Sequence, residues 1–437
     1  MKLRQSIFIL LLCVYTNANA LPDINTWTTN KGLKVLHVES NELPMVDIAL
    51  TFDAGSARDE NLPGLSVMMH SMLDKGTGSL NADEVASGFE DVGAQFSNSV
   101  DLDRSSISLR SLSDKALFDQ ALNLYIKVIS TPSFPKRDFN REQKRLLISL
   151  EDQDQRPSSI VSRTFFKSLY QDHPYSQPRD GTKESIEKIT LKDVKNFHAN
   201  NIGADGAVLA IVGNVSIEDA KSIVDKINDS LPAGEKSSAI NNAPSPKSNN
   251  QHIHFPSQQA HVRIGQLGIE RGNPDYFTLY LGNHVLGGGG FTSRLVEEVR
   301  SNRGLSYSVY SYFSPYKNAG PFVLGLQTRS DQADEAIQVC MNVLNDYIEH
   351  GPTEEELQLS KQNIINGFPL RIDSNRDILG YLSLIGYYDL PITYLDDFSK
   401  NIESVTLEDV KKAFRNHLHP ESFITVVVGS EQITEKE

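Results

Sequence analysis

The chain repeats itself at a spacing of 216 residues, and no other feature limits its architecture as much. Ile186–Lys195 (IEKITLKDVK) is echoed by Ile402–Lys411 (IESVTLEDVK), and Val208–Gly213 (VLAIVG) by Ile424–Gly429 (ITVVVG). Register kept from a helix start through an apolar strand means a duplicated fold. A unit this long is no solenoid repeat. Two similar domains of roughly 200 residues follow, each large enough to bury its own core. A functional site is then expected between them or divided unequally across them.

The first twenty residues read as a secretory leader: Lys2 and Arg4, an apolar run from Ile7 to Val14, then Ala18-Asn19-Ala20 as a cleavage site. The run is far shorter than the roughly 20 apolar residues of a membrane span. A lipoprotein signal at Cys13 is disfavoured, because Leu12 stands where a small residue is needed. Cleavage after Ala20 leaves an exported, soluble chain, periplasmic or secreted. It also leaves Cys340 as the one cysteine, so no intramolecular disulfide is possible. Cys340 sits in an apolar helical pattern with Ala336, Val339, Val343 and Leu344, as a buried thiol does. Net charge is −14, and −16 once Lys2 and Arg4 are removed. Such a surface repels nucleic acid and anionic lipid.

Four parts are expected: leader 1–20, a first domain 21–232, a linker 233–250 and a second domain 251–437. The linker (AGEKSSAINNAPSPKSNN) is rich in Ser, Asn, Pro and Lys. Alternation predicts strands at 32–38, 46–52, 94–100, 105–112 and 207–212. Helices are predicted at 62–74, at 82–92 behind Asn81, from 113 or 114 to 129, along the Phe139–Leu150 face, and after Ser216. The second half repeats this order, with strands at 252–255, 261–268, 307–313 and 320–328. Its helices fall at 275–285, 292–301, 333–348 and 354–365. Strands joined as hairpins and mixed with helices indicate an α+β fold of two homologous domains, each a mainly antiparallel sheet packed with helices.

Gly287–Gly290 is not a phosphate loop, since no Gly-Lys-Ser/Thr follows. Bare backbone there suits either close approach of a neighbouring chain or an extended peptide, or a simple tight turn. Two His-x-His pairs, His252/His254 and His417/His419, lack a third ligand at a fitting spacing.

Pro63–Thr77 (PGLSVMMHSMLDKGT) resembles the active-site helix of the insulinase (pitrilysin) family of zinc peptidases, whose pattern there is PGLAHFLEHMLFKGT. The resemblance continues through Gly55–Glu60, His173-Pro174-Tyr175, Gly181-Thr182, Phe291–Leu295 and Arg303–Ser308, covering nearly the whole mature chain. It implies one half of a clamshell like that of the mitochondrial processing peptidases. It also implies that the zinc chemistry is gone. The family's HxxEH sets two zinc-binding His and a Glu base on one helix face. Those three places hold Val67, His70 and Ser71. Counting from Glu142, the family's third ligand falls on Ser149, and Glu151 is out of register. No zinc is expected in this chain, and His70 is expected to partner a backbone group or water.

The family's second-domain Arg and Tyr, which reach the substrate near the cleaved bond, match Arg303 and Tyr307. A cation and a phenol suit a peptide carbonyl and its developing oxyanion. The plain alternative pairs Arg303 with a surface acid and packs Tyr307 in its strand. By this resemblance the chain is a non-catalytic subunit that pairs with a zinc-bearing homologue and contributes Arg303 and Tyr307 to peptide cleavage. A structural or peptide-binding homodimer without hydrolytic activity is the competing class, and a residual peptidase built on His70 is a third.

Overall fold

The computed structural model describes residues 23–430, so the leader and Cys13 lie outside the described residues. Thirteen strands occur among them: β1 Asn25–Thr28, β2 Lys34–Glu39, β3 Met45–Phe52, β4 Gly76–Thr77, β5 Leu80–Asn81, β6 Gln95–Val100, β7 Ser105–Leu112, β8 Val208–Gly213, β9 Asn249–His254, β10 Gln259–Leu267, β11 Ser306–Phe313, β12 Pro321–Arg329 and β13 Ile424–Gly429. The α-helices of the first half are α1 Leu65–Met72, α2 Ala82–Glu90, α3 Lys115–Ser130, α4 Lys136–Asp154, α5 Pro157–Tyr170, α6 Lys183–Lys188, α7 Leu191–Asn201 and α8 Ile217–Ser230. Those of the second are α9 Tyr276–Asn283, α10 Ala333–His350, α11 Glu354–Gly367, α12 Asn375–Tyr387, α13 Tyr394–Ser404 and α14 Leu407–His417.

The two large sheets run β1-β2-β8-β3-β7-β6 and β11-β12-β10-β13-β9. In each, the strand that ends the repeat lies parallel to one neighbour and antiparallel to the other: β8 beside β2 and β3, β13 beside β9 and β10. The helix before that strand also starts alike in both halves. Thr190 and Thr406 each cap with the side-chain oxygen, while Asp193 and Asp409 accept the cap residue's own amide at 2.8 and 2.9 Å. The TLxDV echo is therefore a reciprocal capping box written twice.

Most predicted elements lie within a few residues of their observed bounds, but β1, β4, β5, α5, α6, α12 and α13 were not anticipated. Of these, α5 and α12 join the domains. Shifted by 216 residues, α5 falls almost over α12. Each packs on the other half's sheet. Leu379, Leu382 and Ile385 of α12 share a core with Leu36, Val38, Ala49, Val208 and Val212 of the first sheet. Val161, Phe165 and Leu169 of α5 pack with Ile424, Val426 and Val428 of the second. Two glycines permit this close fit. A Cβ at Gly386 would lie 2.4 Å from Val208, and one at Gly265 would meet Phe165 at 3.2 Å. Segment 233–250 is held too: the His173 Nε2–H donates to the Asn241 carbonyl at 2.9 Å. Its last two residues belong to β9.

A polar lock lies beside this apolar exchange. Asp103, 3% exposed, accepts from the Tyr175 hydroxyl, from the Lys317 amide at 2.8 Å and from the Tyr388 hydroxyl at 2.8 Å. Tyr387 donates to the Asp103 carbonyl at 2.8 Å, and Lys317 pairs with Asp53 at 3.0 Å. Burial raises the Asp103 pKa, with the hydrogen bonds opposing. Each donor that spans the halves fixes their relative placement.

Gly386→Val is expected to destabilise the protein by roughly 1–3 kcal/mol through overpacking of α12 on β8. Gly380→Ala on the same helix, where a Cβ meets nothing within 4 Å, should cost nothing measurable in urea denaturation. Equal effects of the two would contradict the fit described.

Candidate functional site

Helix α1 carries the peptidase-type motif. It begins at Gly64, whose φ of +92° is open to glycine and strained for other residues. Asp59 receives the Gly64 and Ser66 amides at 2.7 and 2.8 Å. Ser185 donates to the Pro63 carbonyl at 2.7 Å, so Pro63-Gly64 and Gly181-Thr182, far apart in sequence, form one packed corner. The scaffold of an active-site helix is intact.

Its chemistry is not. Val67 packs against the first-domain core, Ser71 donates to the Met68 carbonyl at 2.8 Å, and Ser149 is exposed on α4. Glu142 is buried and accepts from Arg145 at 2.7 Å, while Glu151 lies 3.8 Å from Lys183. His70 is 1% exposed, and neither ring nitrogen has a partner. The expectation that it would bond a backbone group is thus not met. Burial, and secondarily His198, push its pKa down to about 3. Its imidazole is sealed from solvent on the buried face of α1. Valine and two serines with a buried imidazole do not fit zinc, and among the described residues no group of three metal-binding side chains occurs. Of the other candidates, His417 is engaged by Asp275 at 2.7 Å, and the Cys340 thiol is buried with its pKa pushed up to about 12.

The second half is exposed where the first is sealed. Tyr307 is 82% exposed on β11, the edge strand of its sheet. Arg303 is exposed, its Nε 3.8 Å from Glu298. Arg300 and Phe291, not singled out from the sequence, complete the cluster: the Arg300 guanidinium lies 4.7 Å from the Tyr307 ring and 4.8 Å from the exposed Phe291 ring. The predicted helix at 292–301 is wound more widely than an α-helix. The Asn302 amide donates to the Glu297 carbonyl five residues back, a geometry that recurs at functional sites. In the glycine run, a Cβ at Gly287 would lie 2.4 Å from Ser311, and Gly290 has φ +63°. The run thus packs tightly on β11 of its own chain. A groove of roughly 370 Å³ follows, lined by Tyr276, Tyr280, Gly287, Gly288, Tyr310 and Tyr312.

Two like domains carrying a peptidase-type helix without zinc ligands define a peptidase-like protein of α+β architecture. The insulinase (peptidase family M16) model matches residues 34–183, and the peptidase M16 inactive domain model matches residues 188–364. A crystal structure of a peptidase M16 inactive domain from Pseudomonas fluorescens superposes with a TM-score of 0.91 at 40% identity, covering 94% of this chain and 98% of that one. The non-peptidase homolog YmxG of Helicobacter pylori is 25% identical, across 98% of this chain and 99% of its own. An uncharacterized zinc protease of Bacillus subtilis is also 25% identical, across 89% of this chain and 94% of its own. The chain belongs to peptidase family M16, the insulinase family, as a homologue whose zinc positions are lost.

Two buried groups set opposite pH dependences. The folded pKa of His70, about 3, lies below its unfolded value, so its contribution is present above pH ~6.5 and lost as pH falls toward 3. Burial raises Asp59 to about 7, so its contribution is present below the unfolded carboxylate value and lost as pH rises toward 7. Only the first should vanish in His70→Leu. Between pH 7 and pH 5 the stability difference between His70→Leu and the parent should shift by roughly 2 kcal/mol in favour of the variant. A difference independent of pH would refute the buried neutral imidazole.

Proposed function

We propose that this chain is exported and works as the non-catalytic half of a two-subunit peptidase, paired with a homologue that carries an intact HxxEH zinc site. The observation behind this is the asymmetry of exposure. The positions for metal and base are filled by Val67, Ser71, Ser149 and the buried His70, whereas Arg303 and Tyr307 are exposed to solvent at the strand edge. An extended peptide can add to the β11 edge through main-chain hydrogen bonds, placing alternate side chains toward the tyrosine-lined groove. Arg303 and Tyr307 would then hold the carbonyl at the bond cleaved by the partner's zinc and stabilise the charge that develops on it.

No helix among the described residues is long and apolar enough to cross a membrane. The leader at 1–20 carries the export proposal, with the periplasm or the exterior as its destination.

Co-expression with a zinc-bearing homologue from the same genome should give a complex that cleaves peptides, while neither subunit alone does so efficiently. Arg303→Ala or Tyr307→Ala should leave the complex assembled and lower its turnover by roughly 10²-fold or more, with Ser149→Ala unchanged. A stable homodimer that binds peptides without hydrolysis, and takes up no zinc-bearing partner, would favour the structural alternative.

A further inference from the structure

A second cavity lies on the opposite side of the molecule's logic, between the first sheet and α12. It holds roughly 500 Å³. Near β2 and β8 the sheet face beneath α12 is apolar, as Val38, Val208 and Val212 require. Toward the β7–β6 edge the same face turns polar: Thr51, Ser97, Ser99, Ser106 and Ser108 line the cavity. The wall opposite is α12, where Gly380 leaves open space.

Three guanidiniums line this cavity, Arg104, Arg110 and Arg376. Asp47 occupies Arg110 through two bonds of 2.6 and 3.1 Å. Arg104 gives only its Nε to Asp101, at 3.2 Å; its Nη1 is sealed from solvent without a partner. The Tyr388 ring lies 5.5 Å from that guanidinium and 5.3 Å from that of Arg271. Arg376 is exposed at the mouth and forms no ion pair among the described residues. Its neighbour Asp377, the remaining carboxylate near Arg110, is engaged by Ser374 as the helix cap. Thr51, 0% exposed, has a hydroxyl with no partner. Buried donors without acceptors are costly, and the two residues that carry them, Arg104 and Thr51, both line this cavity.

We propose that this cavity binds a small oxyanion, a carboxylate or a phosphate group, with Arg104 and Arg376 as the charged donors and Thr51 as the buried neutral one. Planar guanidinium forks suit such groups, and charge-assisted bonds make them the preferred acceptors over water. The serine hydroxyls can hold the remainder of a polar ligand. This site is separate from the groove beside β11 and stands whether or not the chain has a catalytic partner.

Isothermal titration of the full chain with inorganic phosphate, at constant ionic strength set by chloride, tests the site. A parallel titration uses a short free-acid peptide and its C-terminal amide. One saturable site is expected, with Arg376→Gln weakening binding roughly tenfold. Gly380→Phe, which fills the cavity without touching a charge, should abolish it. Binding of phosphate alone or of the free-acid peptide alone names the source of the oxyanion, and either supports the site. Heats indistinguishable from chloride, or equal binding by both variants, would show a cavity that holds only water and would overturn the proposal.

Discussion

Everything in this molecule depends on two helices exchanged between two sheets. The inner face of each sheet is apolar along its centre and is covered by the repeat-equivalent helix of the other half: α12 over β2, β8 and β3, α5 over β13 and β10. Neither half can bury its own sheet completely. The hydrophobic term that stabilises each domain therefore also fixes the angle between them. The Asp103 lock adds direction to that non-directional force, because Tyr175, Tyr388 and the Lys317 amide satisfy one buried carboxylate only in a single arrangement. A rigid two-domain half-shell is the consequence, with the edge strands β6 and β11 left open.

Much of this could be read from the residues. The capping boxes at Thr190 and Thr406 and the period-2 strands announce themselves locally, so the duplication and the α+β class were legible. The exchanged helices were not. Helix α12 contains Gly380 and Gly386 and is apolar on the face it presents to a distant sheet. Its glycines lower helix propensity, and the tertiary reason for them, contact with Val208, is invisible in a local window. The wide winding at 296–301 was missed for a similar reason, since an apolar count assumes 3.6 residues per turn. The partnerless burial of His70 and the Phe291–Arg300–Tyr307 stack needed three dimensions.

The first half keeps the backbone of an active-site helix, its Asp59 cap and its packed Pro-Gly corner, because these hold up the domain. It does not keep the ligands, which contribute nothing to packing. The second half exposes a cation and a phenol instead: Arg303 lies 3.8 Å from Glu298, and Tyr307, 82% exposed, has the Arg300 guanidinium 4.7 Å from its ring. The polar cavity under α12 leaves buried donors without acceptors in the interior.

The central claim is that metal and substrate contacts reside on different chains. Zinc analysis of the purified protein, alone and in complex with a zinc-bearing homologue, addresses it most directly. The account predicts no stoichiometric zinc in this chain alone and one zinc per heterodimer, abolished when the HxxEH histidines of the homologue are replaced. Stoichiometric zinc held by this chain alone, with hydrolysis to match, would contradict it.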